Sequence, residues 1–483
     1  MRTSLSTRRQ FIKQSIIAGG TLAFGGCRSR SDKVYHTTTF QNLRKALKGR
    51  VILPDDEGFE SARSVFFRNS ATLRRPKLVA RCATAEDVIR CLEFADQENL
   101  PVAVRGGGHS FVGWGVCDDG IVIDTSLMKS IRIDAGTRTA RVEAGVLGRE
   151  FAGATLPHRL APVLGECATV GVVGLTLGGG LGWLSGKHGA ACDNLLSAEL
   201  VTADGRHLRT SATENSDLFW AIRGGGGNYG VVTSLTCQLH PLDDVISGDL
   251  SYRYSDARSV LEVFGDVMAG APDALQASVF LKRGAEPVIS ISVCWSGDPR
   301  DADAVIRPLR KSVIPVTDTV RRGTLMDAFV ATKGPPAFGI IKGSYLQSLS
   351  GGAIDTILDG FAEAPGPVAM IGLDHYMHGA VCRVKPDSTA FELRARDAVP
   401  IWVQAIWEDT ASEASLSRWV SQTWTALRAH SGGRAYANYP AAETESSIRE
   451  VYKENYSRLV AVKTQYDRKN VFQKNFNVRP RGG

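Results

Sequence analysis

Arg105-Gly106-Gly107-Gly108-His109-Ser110 places three consecutive glycines directly before an imidazole. A neutral imidazole is a competent nucleophile near pH 7, and glycines let a chain lie against a ligand that side chains would hold away. Further glycine clusters follow at 178–180 and 224–227. Repeated clusters of this kind gather backbone amides around an anion, as a phosphate cradle requires. Cys167 lies among them in "GECATVG", and the thiolate is the reactive form of such a side chain. Gly225, Gly227 and Gly230 satisfy G-x-G-x-x-G, but a helix-like "NSDLFWAIR" precedes them and a strand-like "VVTSLTCQL" follows. A dinucleotide fingerprint needs the opposite order, strand before glycines and helix after, so that assignment is excluded.

Periodicity predicts the elements that position these groups. "KLVARC" reads as a strand, "TAEDVIRCLEFADQEN" as a helix capped by Thr84, and "LPVAVRG" as a buried strand, a β-α-β entry. "GIVIDTSLM", "SIRIDAGTRTARVEAGVL" and "HLRTS" continue as strands and turns, and "VLGREFAGATLP" as a helix. After His240-Pro241 the character changes. Residues 247–430 alternate strands ("DLSYRYS", "SVFLKR", "VISISVCW", "AMIGLDHYMHGAVCRV", "PIWVQAIW") with amphipathic helices ("DARSVLEVFGDVMAG", "SLSRWVSQTWTALRAH"), which predicts an antiparallel sheet backed by helices. On "PIWVQAIW" the period of two groups Trp402, Gln404 and Ile406 on one face and Val403, Ala405 and Trp407 on the other; on "GLDHYMHGA" it groups Asp374, Tyr376 and His378. The last segment, 434–483, carries "YANYP" and one helix over "SSIREVYKENYSRLVAVKTQYD".

Composition excludes several classes of function. A chain of 483 residues, 43% hydrophobic and 22% charged, is globular and long enough for two or three domains. Its net charge of +7 is spread in single residues and pairs outside the N-terminus, which argues against a nucleic-acid partner. Nine cysteines show no CxxC and no His spacing suited to zinc, so no metal site and no disulfide framework is expected. Cys91, Cys237 and Cys294 read as small buried hydrophobes. At the N-terminus, Arg8-Arg9 followed by Phe11 and a short apolar stretch resembles a twin-arginine export signal over residues 1–30. Leu22 to Cys27 resembles a lipoprotein box in which Cys27 would carry a lipid anchor, although Phe24 departs from that pattern. Export from a bacterial cytoplasm is the expectation.

"RGGGHS", "GECATVGVVGLTLGGGLGWLSGKHGAACDNLLSAELVTADG" and "NSDLFWAIRGGGGNYGVVTS" resemble, in order and spacing, the PCMH-type FAD-binding domain of the vanillyl-alcohol oxidase superfamily. The ending "YANYP…YKENYSRLVAVKTQYDRKNVF" is similar to the C-terminal module of berberine-bridge-enzyme-like flavoproteins. The resemblance implies an α+β fold: a two-part FAD-binding domain over 31–242, a substrate domain over 243–433, and a segment over 434–483 that returns to the FAD domain. It implies an FAD bonded to His109 through the 8α-methyl and to Cys167 through C6. It places the cofactor against Arg105, Gly106, Gly107, Gly108, Ser110, Val170, Gly171, Gly174, Gly178, Gly179, Gly180, Gly182, Asp193, Asn194, Gly227, Asn228, Gly230, Val231 and Asn475. Leu175 and Val173 depart from the family's motif, where a histidine and a glycine stand. Val170 matches the small residue that admits oxygen to the flavin in the family's oxidases. Tyr439 matches the base of its oligosaccharide oxidases, with Gln404, Asp374 and Tyr376 as further catalytic candidates on the substrate sheet. The expected activity is oxidation of a small alcohol, sugar or related metabolite, with O2 as acceptor. A dehydrogenase with another acceptor and a silent flavin- or solute-binding protein are the alternatives.

Overall fold

The computed structural model describes residues 39–330, 337–374, 377–440 and 445–482. Two compact units divide the chain at residue 45, and of the first the described residues are helical. Arg8, Arg9, Cys27 and Tyr376 lie outside the described residues.

The second unit is α+β and contains three principal sheets. A four-stranded sheet runs Arg50–Ile52, Leu78–Arg81, Ile121–Asp124, Val102–Arg105, its last three strands parallel. The helix Ala85–Gln97 makes the crossover, and the Thr84 hydroxyl caps it by accepting from the Asp87 N–H at 3.3 Å. A five-stranded antiparallel sheet runs His207–Ser211, Leu195–Val201, Val231–Gln238, Thr139–Glu143, Ile131–Asp134. The helix Ser216–Ala221 precedes the 224–230 glycines and a strand follows them, as the sequence order predicts.

A nine-stranded sheet is built chiefly from Val245–Arg253, Leu275–Lys282, Val288–Trp295, Ala337–Leu346, Ala369–Leu373 and Val399–Trp407. Its main strands pair antiparallel, and the pair Phe67–Arg68 joins one edge in parallel. Helices Ala257–Ala269, Ala302–Ser312, Gly351–Ala362 and Glu413–Leu427 bury their apolar sides in one core with Val403, Ala405 and Trp407. The opposite face carries Trp402, Gln404 and Ile406 toward a cavity, so the period-two reading of this strand holds.

Two predicted elements are shorter than the sequence suggests. The strand read over "AMIGLDHYMHGAVCRV" ends at Leu373; Gly379, with φ +68°, turns the chain into the short helix Ala380–Arg383. Asp374 and His378 therefore part. His378 is buried against Gly186, away from the cavity that Asp374 lines. The long C-terminal helix breaks into Glu445–Tyr452 and Tyr456–Tyr466 around a 3-10 turn. Lys453 is left-handed there, and the Asn455 side chain donates to the carbonyls of Pro386 and Thr389.

Candidate active site

A cavity of about 990 Å³ lies among the 105–115, 165–178, 226–232 and 472–476 segments and the helix-free face of the nine-stranded sheet. His109 is held by stacking on Phe66, ring centroids 4.0 Å apart, and its Nε2 lies 2.9 Å from the Thr169 hydroxyl. The same hydroxyl lies 3.5 Å from the Cys167 Sγ, so the two candidate attachment residues meet at one side chain. Burial pushes the His109 imidazole down to about 4, which keeps it neutral and nucleophilic at neutral pH.

The glycines divide into two kinds. A Cβ on Gly107 would stand 2.4 Å from the Gly171 nitrogen, so the first cluster brings two backbone segments together. Gly178 makes room for Asn438, whose side chain donates to the Leu175 carbonyl. Gly174 and Gly227 also line the cavity, and nothing stands within 4 Å of an added Cβ at either. Those are positions where a side chain would enter the space a ligand needs.

Arg105, Gly106, Gly107, Gly108, Ser110, Val170, Gly171, Gly174, Gly178, Gly227, Gly230 and Asn475 line the cavity together with His109 and Cys167. Other expected cofactor residues do not, and each has a structural partner instead. Gly179 faces the Phe391 ring, Gly180 the Ala191 methyl, and Gly182 the Leu164 carbonyl. Asp193 is tied by both oxygens to the buried Arg394 guanidinium. Asn194 donates to the carbonyls of His188 and Ala190, and Asn228 to those of Gly225 and Phe476. Val231 begins the strand Val231–Gln238.

From the sheet side the cavity receives Asp374, Gln404 and Trp402, and from the C-terminal segment Tyr439. The Tyr439 hydroxyl donates to Asp374 Oδ2 at 2.5 Å, and the Trp402 indole N–H donates to the same oxygen at 2.7 Å. Burial pushes the Asp374 carboxyl up to about 6, against the pull of these two donors. Burial and the neighbouring Asp374 charge push the Tyr439 phenol well above its ordinary range. Phe111, two residues beyond His109, stacks on Tyr439 with ring centroids 5.2 Å apart, joining the His109 segment to the acid–base pair. Glu166 also lines the cavity, buried, accepting from the Ser278 hydroxyl; burial and Asp374 raise its carboxyl far above the usual range. Sequence reasoning missed Glu166, although it immediately precedes Cys167.

These residues fit FAD. Gly174 and Gly227 leave open backbone, Asn475 presents a buried carbonyl oxygen with no partner to the cavity, and His109 and Cys167 stand close enough to face one ring system.

Residues 76–211 match the family model of an FAD binding domain, and residues 435–479 match the model described as berberine and berberine like. The (R)-6-hydroxynicotine oxidase of Paenarthrobacter nicotinovorans is 32% identical over 458 residues, covering 90% of this chain and 98% of its own. An uncharacterized FAD-linked oxidoreductase of Bacillus subtilis, YgaK, is 30% identical over 445 residues, covering 90% and 97%. The crystal structure of 6-hydroxy-D-nicotine oxidase from Arthrobacter nicotinovorans superposes with a TM-score of 0.82 at 30% identity, over 89% of this chain and 98% of that one. Sequence, fold and cavity agree, and the chain belongs to the berberine-bridge-enzyme-like FAD-linked oxidoreductases.

Proposed function

We propose that this enzyme is an oxidase that removes hydride from a C–H bond of a small hydroxylated molecule, passes the electrons to O2, and holds its FAD by bonds to both His109 and Cys167. The observation that carries this reading is the Tyr439–Asp374 pair in the same cavity as His109 and Cys167. When bound, FAD supplies the hydride acceptor. The chain supplies the proton path. Tyr439 already directs its O–H at Asp374, so its oxygen is left to accept a proton from the substrate hydroxyl as its own passes to Asp374 Oδ2. An unassisted phenol is a poor acceptor at neutral pH, and the ionised carboxylate supplies the assistance.

The walls describe the substrate. Phe67, Phe280, Ile341 and Trp402 form an apolar cluster, with Phe66, Phe111, Met370 and Tyr439 packed against it. Such walls exclude water and suit a ring with few hydroxyl groups better than a polyol. The sequence similarity to a hydroxynicotine oxidase accords with that size and polarity. Val170 lines the cavity, and its small side chain supports O2 as the acceptor. The test is a screen of hydroxylated rings, amino alcohols and sugars for anaerobic bleaching of the flavin, followed by admission of air. Rapid recovery of colour with peroxide is the oxidase result. Recovery only with a quinone or dye would make the enzyme a dehydrogenase.

A further inference from the structure

Trp402 lies on the strand Val399–Trp407 between two glycines in register, Gly343 on one neighbouring strand and Gly372 on the other. Glycine weakens a strand interior, so a pair flanking one tryptophan calls for a cause. A Cβ added at Gly372 would stand 2.2 Å from the Trp402 ring, and one at Gly343 would stand 2.2 Å from the Tyr439 Cβ. The first glycine lets the indole lie across the adjacent strand. The second lets the Tyr439 backbone rest on the sheet. Both accommodations converge on one atom, Asp374 Oδ2, which accepts from Trp402 Nε1 at 2.7 Å and from the Tyr439 hydroxyl at 2.5 Å, while Oδ1 is buried with no partner.

We propose that Trp402 is a positioning residue for proton transfer: its N–H, carried across Gly372, fixes Asp374 Oδ2 before the Tyr439 hydroxyl and favours the carboxylate that takes the Tyr439 proton. This rests on the proton-accepting role of Asp374 given above. A tryptophan that served only to fill the sheet would need burial and some acceptor for its N–H. Here the acceptor is the carboxylate at the centre of the site. A donor to the charged form stabilises it, in opposition to burial. Among the described residues, the titratable groups facing Asp374 are Tyr439, with Tyr436 behind it, and Glu166 from the segment before Cys167; charge on Glu166 opposes charge on Asp374.

Infrared pH-difference spectra of the purified holoenzyme, with Asp374→Asn as the blank, follow the Asp374 carboxyl without turnover. Trp402→Phe keeps an aromatic side chain, smaller than the indole, and removes the N–H. It should move the carboxyl midpoint up by about one pH unit, a tenfold change in the ionisation constant, and move the pH profile of anaerobic flavin reduction equally, with flavin content unchanged. Gly372→Ala, which displaces the indole without deleting it, should shift the midpoint in the same direction and decides the matter if Trp402→Phe does not fold. An unmoved midpoint in the folded variant overturns the positioning role. A shifted midpoint combined with flavin reduction indifferent to Asp374→Asn supports the hydrogen bond and overturns the proton-accepting reading beneath it.

Discussion

Asp374 shows how one residue's environment sets a reaction's pH dependence. Burial raises its carboxyl to about 6, and only the ionised form can take the Tyr439 proton. Anaerobic flavin reduction should therefore rise with pH through about 6 and level off above it, measured by stopped flow with a substrate that does not itself titrate there. Replacing Asp374 by Asn should remove that rise and lower the plateau roughly 10²-fold. His109 and Cys167 make a separate prediction. Each single alanine variant should retain flavin after acid precipitation, and the double variant should release it, read by mass spectrometry of the denatured chain. His109, Cys167 and Tyr439 were legible in the sequence because each sits in a short, unusual motif. Glu166 was not, and Trp402 was legible only as a residue of the cavity-facing side of its strand: a carboxylate beside a cysteine and a tryptophan in a strand have ordinary uses, and only folding brings each beside Asp374.

At the scale of elements, glycine has opposite meanings that sequence alone cannot separate. The strand Ala337–Leu346 carries Gly339 and Gly343, residues that resemble breakers in a sequence; both instead admit close neighbours, the Ala405 carbonyl and Tyr439. The break in the C-terminal helix was equally hidden, since Asn455 becomes an anchor only when the 386–389 segment is beside it. The same division gives a paired prediction. Gly182→Ala would place a Cβ 1.5 Å from the Leu164 carbonyl oxygen and should lower the melting temperature or abolish soluble expression. Gly174→Ala meets no protein atom and should fold normally while lowering the flavin content of the purified protein. Thermal scans and flavin-to-protein absorbance distinguish the two.

Over the whole molecule, the change of pattern after His240-Pro241 pointed to the helix-backed sheet, and the family resemblance carried by the glycine-rich motifs implied the α+β class. They did not reveal how the C-terminal segment is fastened. Lys463 is fully buried, pairs with Asp467 at 2.7 Å, and donates to the carbonyls of Asn228 and Phe472, joining the segment before Asn475 to the glycine turn that contains Gly227. Lys463→Met should leave the Asp467 carboxylate buried without its cation and cost about 3 kcal/mol in denaturant unfolding, with the attached flavin becoming exposed to solvent, read by its fluorescence, ahead of global unfolding.

The most direct measurement is anaerobic flavin reduction by a substrate from the bleaching screen, compared between the wild type and Tyr439→Phe. The phenylalanine keeps the ring stacked on Phe111 and removes only the hydroxyl that donates to Asp374. With flavin attachment and reoxidation by O2 unchanged, reduction should slow roughly 10²-fold or more. Reduction of Tyr439→Phe at the wild-type rate would contradict the assignment of Tyr439 and Asp374 as the proton path of this enzyme.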